Sequence, residues 1–152
     1  MLERDQAYRT QWILSRQLHH EETQDDIALR LRADSIDSLN QVEIRQILKE
    51  HGFPKKTEVG TSACEAAWII IQHAPLDVQK EYLPMLERAA TEGNIQAALV
   101  AALHDRIDVR EGRPQKYGTQ RNHNGICPLL NKKMVNQWRK EVGLPPLDEY
   151  SK

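Results

Sequence analysis

The side chains able to do chemistry in this chain are a histidine at the end of an apolar run, an acid–base pair and a polar stretch. His73 lies one turn beyond Ile69, after the run Ala66 to Ile71. Such a position, at the C-terminal end of a buried helix, suits an imidazole that carries protons near neutral pH. His51 stands before Gly52 at the end of another helical pattern and could converge with it. Asp105 and Arg106 are adjacent, so their side chains must point apart. Arg106 then offers a planar fork to a phosphate or carboxylate, while Asp105 can orient a histidine. The stretch Gln115-Lys116-Tyr117-Gly118-Thr119-Gln120 is polar enough to contact a ligand through Gln115, Tyr117, Thr119 and Gln120.

Each of these has a plainer reading: His73 and His51 as histidines capping their own helices, Asp105 and Arg106 as a cap and a surface ion pair. A metal reading also exists. His73, His104-Asp105 and Asp148 follow the order of metal-binding His and Asp residues in HD-type phosphohydrolases. In those sites all ligands lie on helices, whereas here the dyad is expected to enter a hairpin and Asp148 a Pro-rich tail. The reading is therefore metal-independent, with no cofactor implied. The chain contains no Gly-rich phosphate loop, HExxH, GxSxG or zinc spacing.

These groups need elements to hold them. A first helix is expected over about 2–19, a weaker one over 24–34, a joint at Ser35 to Ser38, and a third helix to His51. That helix places Ile44, Ile47, Leu48 and His51 on one face, with Gly52 and Pro54 closing it. Ser62 to Glu65 reads as a capping box opening a central, buried helix over 63–74 that Pro75 ends. Asp77 caps the next helix, with Pro84 expected to split or kink it, and Asn94 caps an Ala-rich one. After Asp105 the period changes from helical to alternating. Ile107 and Val109, the turn Glu111-Gly112-Arg113-Pro114 and the return through Thr119 give a short antiparallel β-hairpin at about 106–120. A last helix holds Met134, Val135 and Trp138, and residues 143–152 form a strap packed on the body. The class is α+β, mainly α, in a single compact helical domain over 1–152.

Composition narrows the partners. With 21 Lys+Arg against 22 Asp+Glu, the net charge of −1 argues against a whole-domain grip on nucleic acid. The apolar run Ala66 to Ile71 is far below the roughly 20 residues of a membrane helix, and Met1 to Asp5 lack a signal-peptide layout. Cys64 and Cys127 have no metal-type spacing and read as reduced, buried thiols of a cytoplasmic protein.

Asp5-Gln6 with Arg9, His51-Gly52-Phe53-Pro54, Val59-Gly60, Ala67-Trp68 and Gln72-His73 together resemble a mainly bacterial domain family of unknown function. The likeness continues through Asp105-Arg106, Val109, Gly112, Pro114-Gln115 and Tyr117-Gly118-Thr119-Gln120, to Gly143-Leu144-Pro145-Pro146-Leu147 and Tyr150. The resemblance implies that Gln72-His73, Asp105-Arg106 and residues 115–120 belong to one polar signature; it implies no activity, and His104 departs from its pattern.

The expected function is a hydrolase or transferase acting on a small polar or phosphate-bearing substrate. His73, with His51, is the acid/base, Asp105 the orienter, Arg106 the anchor, and Gln115, Tyr117, Thr119 and Gln120 the substrate contacts. The alternative is a non-catalytic, immunity- or sensor-like interaction protein whose polar residues form a closed network.

Overall fold

The computed structural model describes residues 8–15 and 23–147. A helical segment over residues 8–15 (α1) is followed by α2 (Gln24–His51), α3 (Lys56–Val59), α4 (Thr61–His73), α5 (Leu76–Thr91) and α6 (Ala97–Arg110). Then come β1 (Arg121–Asn122), β2 (Gly125–Ile126) and α7 (Val135–Glu141). The architecture is mainly α with a two-stranded antiparallel hairpin, the expected class. The rest of the helix expected over 2–19, with Asp5, and the tail residues Asp148 and Tyr150 lie outside the described residues.

α2 is one uninterrupted helix of 28 residues where two helices and a joint were expected. Serine weakens helices by bonding to backbone in other conformations. Here the Ser35 and Ser38 hydroxyls instead donate back to the carbonyls of Leu31 and Asp34, at 2.9 and 3.0 Å. The helix opens on a capping box at Thr23. The Thr23 Oγ1 accepts from the Asp26 N–H, and the Asp26 carboxylate accepts from the Thr23 N–H. Gly52 ends it at φ 73°, a conformation few other residues take at low cost. Ile44 and Leu48 face the core as expected, but Ile47 and His51 do not.

α4 is the central helix, burying Cys64, Ala67, Trp68, Ile70 and Ile71. Its N-cap is Gly60 with no side-chain cap bond, so the Ser62–Glu65 box does not form. Likewise α5 starts after Pro75, leaving Asp77 in its first turn, and α6 starts after Gln96. Asn94 instead accepts the Lys56 N–H at 3.1 Å. α5 runs through Pro84, which is solvent-exposed. α5 and α6 pair through Val78, Tyr82, Leu86 and Ala89 against Val100, Leu103 and Ile107, over the floor that α4 and α2 supply. The Trp68 indole N–H, buried in this core, donates to the Leu99 carbonyl at 3.0 Å.

The hairpin lies at 121–126, not at 106–120. Ile107 and Val109 alternate in sequence, but Ile107 also falls one turn after Leu103. Both are buried, so the helix period wins and α6 extends to Arg110. Residues 115–120 form a loop rather than a return strand, with one isolated parallel bridge from Gln115 to Leu129. The strap is present over Gly143 to Leu147, where the Leu144 and Leu147 N–H groups donate to the Arg139 carbonyl and to Asn136 Oδ1. No described helix is long and apolar enough to cross a membrane.

Candidate functional site

The groups singled out in the sequence fall into a buried network and an open groove, with His51 apart from both. Asp105, Gln115, Tyr117, Thr119 and Gln120 form one network. The Asp105 carboxylate is fully buried, and the chain wraps around it. Its Oδ1 accepts the N–H of Lys116 and of Tyr117, each at 2.9 Å, and its Oδ2 accepts the Thr119 N–H and hydroxyl, each at 2.9 Å. Gln115, also fully buried, donates from Nε2 to the carbonyls of Gln120 and Cys127 and accepts the Gln120 N–H at Oε1. The Gln120 amide group donates to the Ala102 carbonyl and to Thr119 Oγ1. These polar groups spend their hydrogen-bonding capacity on the loop, which is how buried polar atoms are retained.

Arg139 closes the network, and sequence reading missed it. It is 7% exposed; its Nη1 donates to the Tyr117 carbonyl at 2.7 Å and its Nε to the Pro145 carbonyl at 2.6 Å. Burial holds this guanidinium below its ordinary range, and the nearby Asp105 charge offsets part of that. One arginine therefore ties the loop to the strap. The available signal was its register: Arg139 follows the buried Val135 by one turn on the same face of α7. Gly118, at φ 69°, sits under the strap, where a Cβ would stand 3.0 Å from a Leu129 methyl and 3.2 Å from a Leu147 methyl.

His73 and Arg106 belong elsewhere. His73 lines an open groove of about 560 Å³ between α2 and the ends of α4, α5 and α6, with Asp34, Asp37, Gln41, Arg45 and Arg110 among its walls. Arg110 Nη1 donates to the carbonyl of Ala74, the residue after His73, at 3.2 Å, which fixes a cation at the end of α4. One turn back along α6, Arg106 is half-buried, and its Nε has no partner among the described residues. Burial, then the adjacent guanidiniums of Arg110 and Arg9, hold Arg106 below the ordinary arginine range. Arg9 in turn pairs with Asp37. So His73 and Arg106 come to the same side of the molecule, joined by Arg110, which sequence reading passed over although it repeats Arg106 at helical spacing.

Asp105, buried in its own loop, does not orient His73. His51 does not join the groove either; its side chain is 74% exposed beside Glu50. The HD-type order also fails to assemble. Asp105 does lie on a helix, contrary to expectation, but its oxygens hold the loop. No group of three His, Cys, Asp or Glu side chains converges among the described residues. His104 pairs instead with Asp108, whose other oxygen takes Arg113.

Comparison with known proteins adds one match. The model of a family of unknown function, DUF6624, covers residues 1–152. No curated protein and no solved structure gives a significant match.

Proposed function

The chain belongs to this family of unknown function, and from that premise we propose that it is a metal-independent hydrolase or transferase acting on a small phosphate-bearing molecule held in the His73 groove. The observation carrying this reading is that His73 and Arg110 line one solvent-open groove, with Arg106 a turn behind. Crowded guanidiniums repel one another, and an oxyanion relieves that repulsion while accepting planar, charge-assisted hydrogen bonds. His73 then protonates a leaving oxygen or takes the proton of an attacking water or alcohol. A groove of this volume is within the range of small-molecule sites. Its mixed charges suit a compact ligand rather than a nucleic-acid backbone, and the buried free thiols Cys64 and Cys127 suit a cytoplasmic setting.

The test is a thermal-shift screen with sugar phosphates and nucleotides, followed by phosphate-release assays on those that bind. A ligand held only by the folded chain raises the melting temperature. Binding that is weakened in Arg110→Gln, with turnover lost in a folded His73→Gln, supports the reading. A screen without any phosphate-dependent shift contradicts it.

One observation favours a second reading, a non-catalytic interaction protein. The loop around Asp105 is a closed clamp, and α2 exposes Leu31, Leu39 and Val42. Ligand binding that persists in His73→Gln without turnover in either protein would favour it.

A further inference from the structure

The groove carries both signs of charge, and this narrows the ligand. Asp34, Gln41 and Arg45 follow one another on the α2 wall. At about 1.5 Å per residue, Asp34 and Arg45 are separated by roughly 16 Å along the helix axis. Gln41 donates from Nε2 to the Ile70 carbonyl at 2.9 Å, which leaves its Oε1 in the wall, shielded from solvent and without a partner among the described residues. The α2 wall therefore presents the Asp34 carboxylate, and Arg110 presents donors from the α6 side.

We infer, building on the anion site proposed above, that the ligand is two-signed: a phosphate joined by a short chain to an ammonium group. The phosphate meets Arg110, with the Arg106 charge a turn behind it, and the ammonium meets Asp34. A simple phosphate leaves Asp34 unmatched, and a polyphosphate brings like charge against it. Both mismatches cost affinity, which is how a mixed-charge groove selects against ligands of one sign. Asp37 is paired with Arg9 and Arg45 with Glu81, which leaves Asp34 and Arg110 as one anion and one cation facing the groove. A ligand whose own charges nearly cancel fits that balance.

The experiment is calorimetric titration of the full chain with aminoalkyl phosphates of graded length, the alkyl phosphates of matching length, and inorganic pyrophosphate. It is repeated on Asp34→Asn, a solvent-exposed helix position. An ammonium–carboxylate contact at a partly open site is worth up to about fivefold in affinity. The expected result is one aminoalkyl phosphate binding about fivefold tighter than its amine-free match, with the advantage gone in Asp34→Asn and pyrophosphate weaker than either. Equal binding of matched pairs, or an amine advantage that survives Asp34→Asn, overturns the two-signed ligand while leaving the anion site standing. If none of these phosphates binds, the anion site fails and this inference with it.

Discussion

Replacing Asp105 by Asn changes one oxygen to an amino group and nothing in shape, so the cost can be worked from the contacts. The new NH₂ must face either the Lys116 and Tyr117 N–H groups or the Thr119 N–H and hydroxyl. The second placement is cheaper, because the Thr119 hydroxyl can turn to accept. The Thr119 backbone N–H still loses its partner, at about 1–3 kcal/mol for a buried donor. The bonds that survive become neutral instead of charge-assisted, and buried Arg139 loses the charge that favours it. Together these give a loss of about 3 kcal/mol, or roughly 10 °C in melting temperature for a chain of this size. Urea unfolding followed by circular dichroism, with an unchanged slope, measures it. Because the clamp is distant in role from the groove, phosphate affinity at temperatures where the variant is folded stays unchanged. A stability loss under about 0.5 kcal/mol, or a selective loss of phosphate affinity, would refute the assignment of Asp105 to the loop.

Other outcomes follow from the same contacts. Gly118→Ala combines a positive φ with a methyl group against Leu129 and Leu147, and should cost about 2–4 kcal/mol by thermal unfolding; adding Leu147→Ala should return part of it. Cys64 is fully buried, donates to the Pro54 carbonyl, and is pushed above the usual thiol range by burial, while Cys127 is 5% exposed. Native protein should therefore react with a thiol reagent only as it unfolds, both thiols appearing on addition of denaturant. The Lys80 hydrogen bond, aided by Arg113, holds the Glu111 carboxyl below its ordinary value. A depressed carboxylate contributes stability above its unfolded-state value and loses it as pH falls through the folded one. Glu111→Gln should thus destabilise the protein at neutral pH and much less in strong acid, as read from unfolding curves at both.

How far the sequence could be read varied with the range of the forces involved. Apolar spacing placed α4, α5 and α7 because core burial repeats locally, as Ala67, Ile70 and Ile71 show. The serines at 35 and 38 misled because a hydroxyl that breaks a helix and one that bonds its own preceding turn look identical in sequence. Ile107 and Val109 fitted two periods, and only the packing against α5 decides between them. In the candidate site, the polar run 115–120 was read as a strand with hydrogen-bonding groups free for a ligand, and it is a loop that bonds to itself. What could not be read was their target: the buried Asp105 and Gln115 side chains take up the backbone of the loop itself. Arg110 at the Ala74 carbonyl spans 36 positions, and the Arg9–Asp37 pair spans 28, contacts that no local pattern encodes. Arg106 was chosen for its fork geometry, and its crowding by Arg9 and Arg110 gives a stronger reason than adjacency to Asp105.

The most direct check on the groove is to follow the imidazole ring resonances by NMR while inorganic phosphate is added, first to the full chain and then to Arg110→Gln. His73 should shift in a saturable manner in the parent chain and much less in the variant, with exposed His51 unmoved. A His73 signal that ignores phosphate, or that moves only in parallel with His51, contradicts an anion site in this groove.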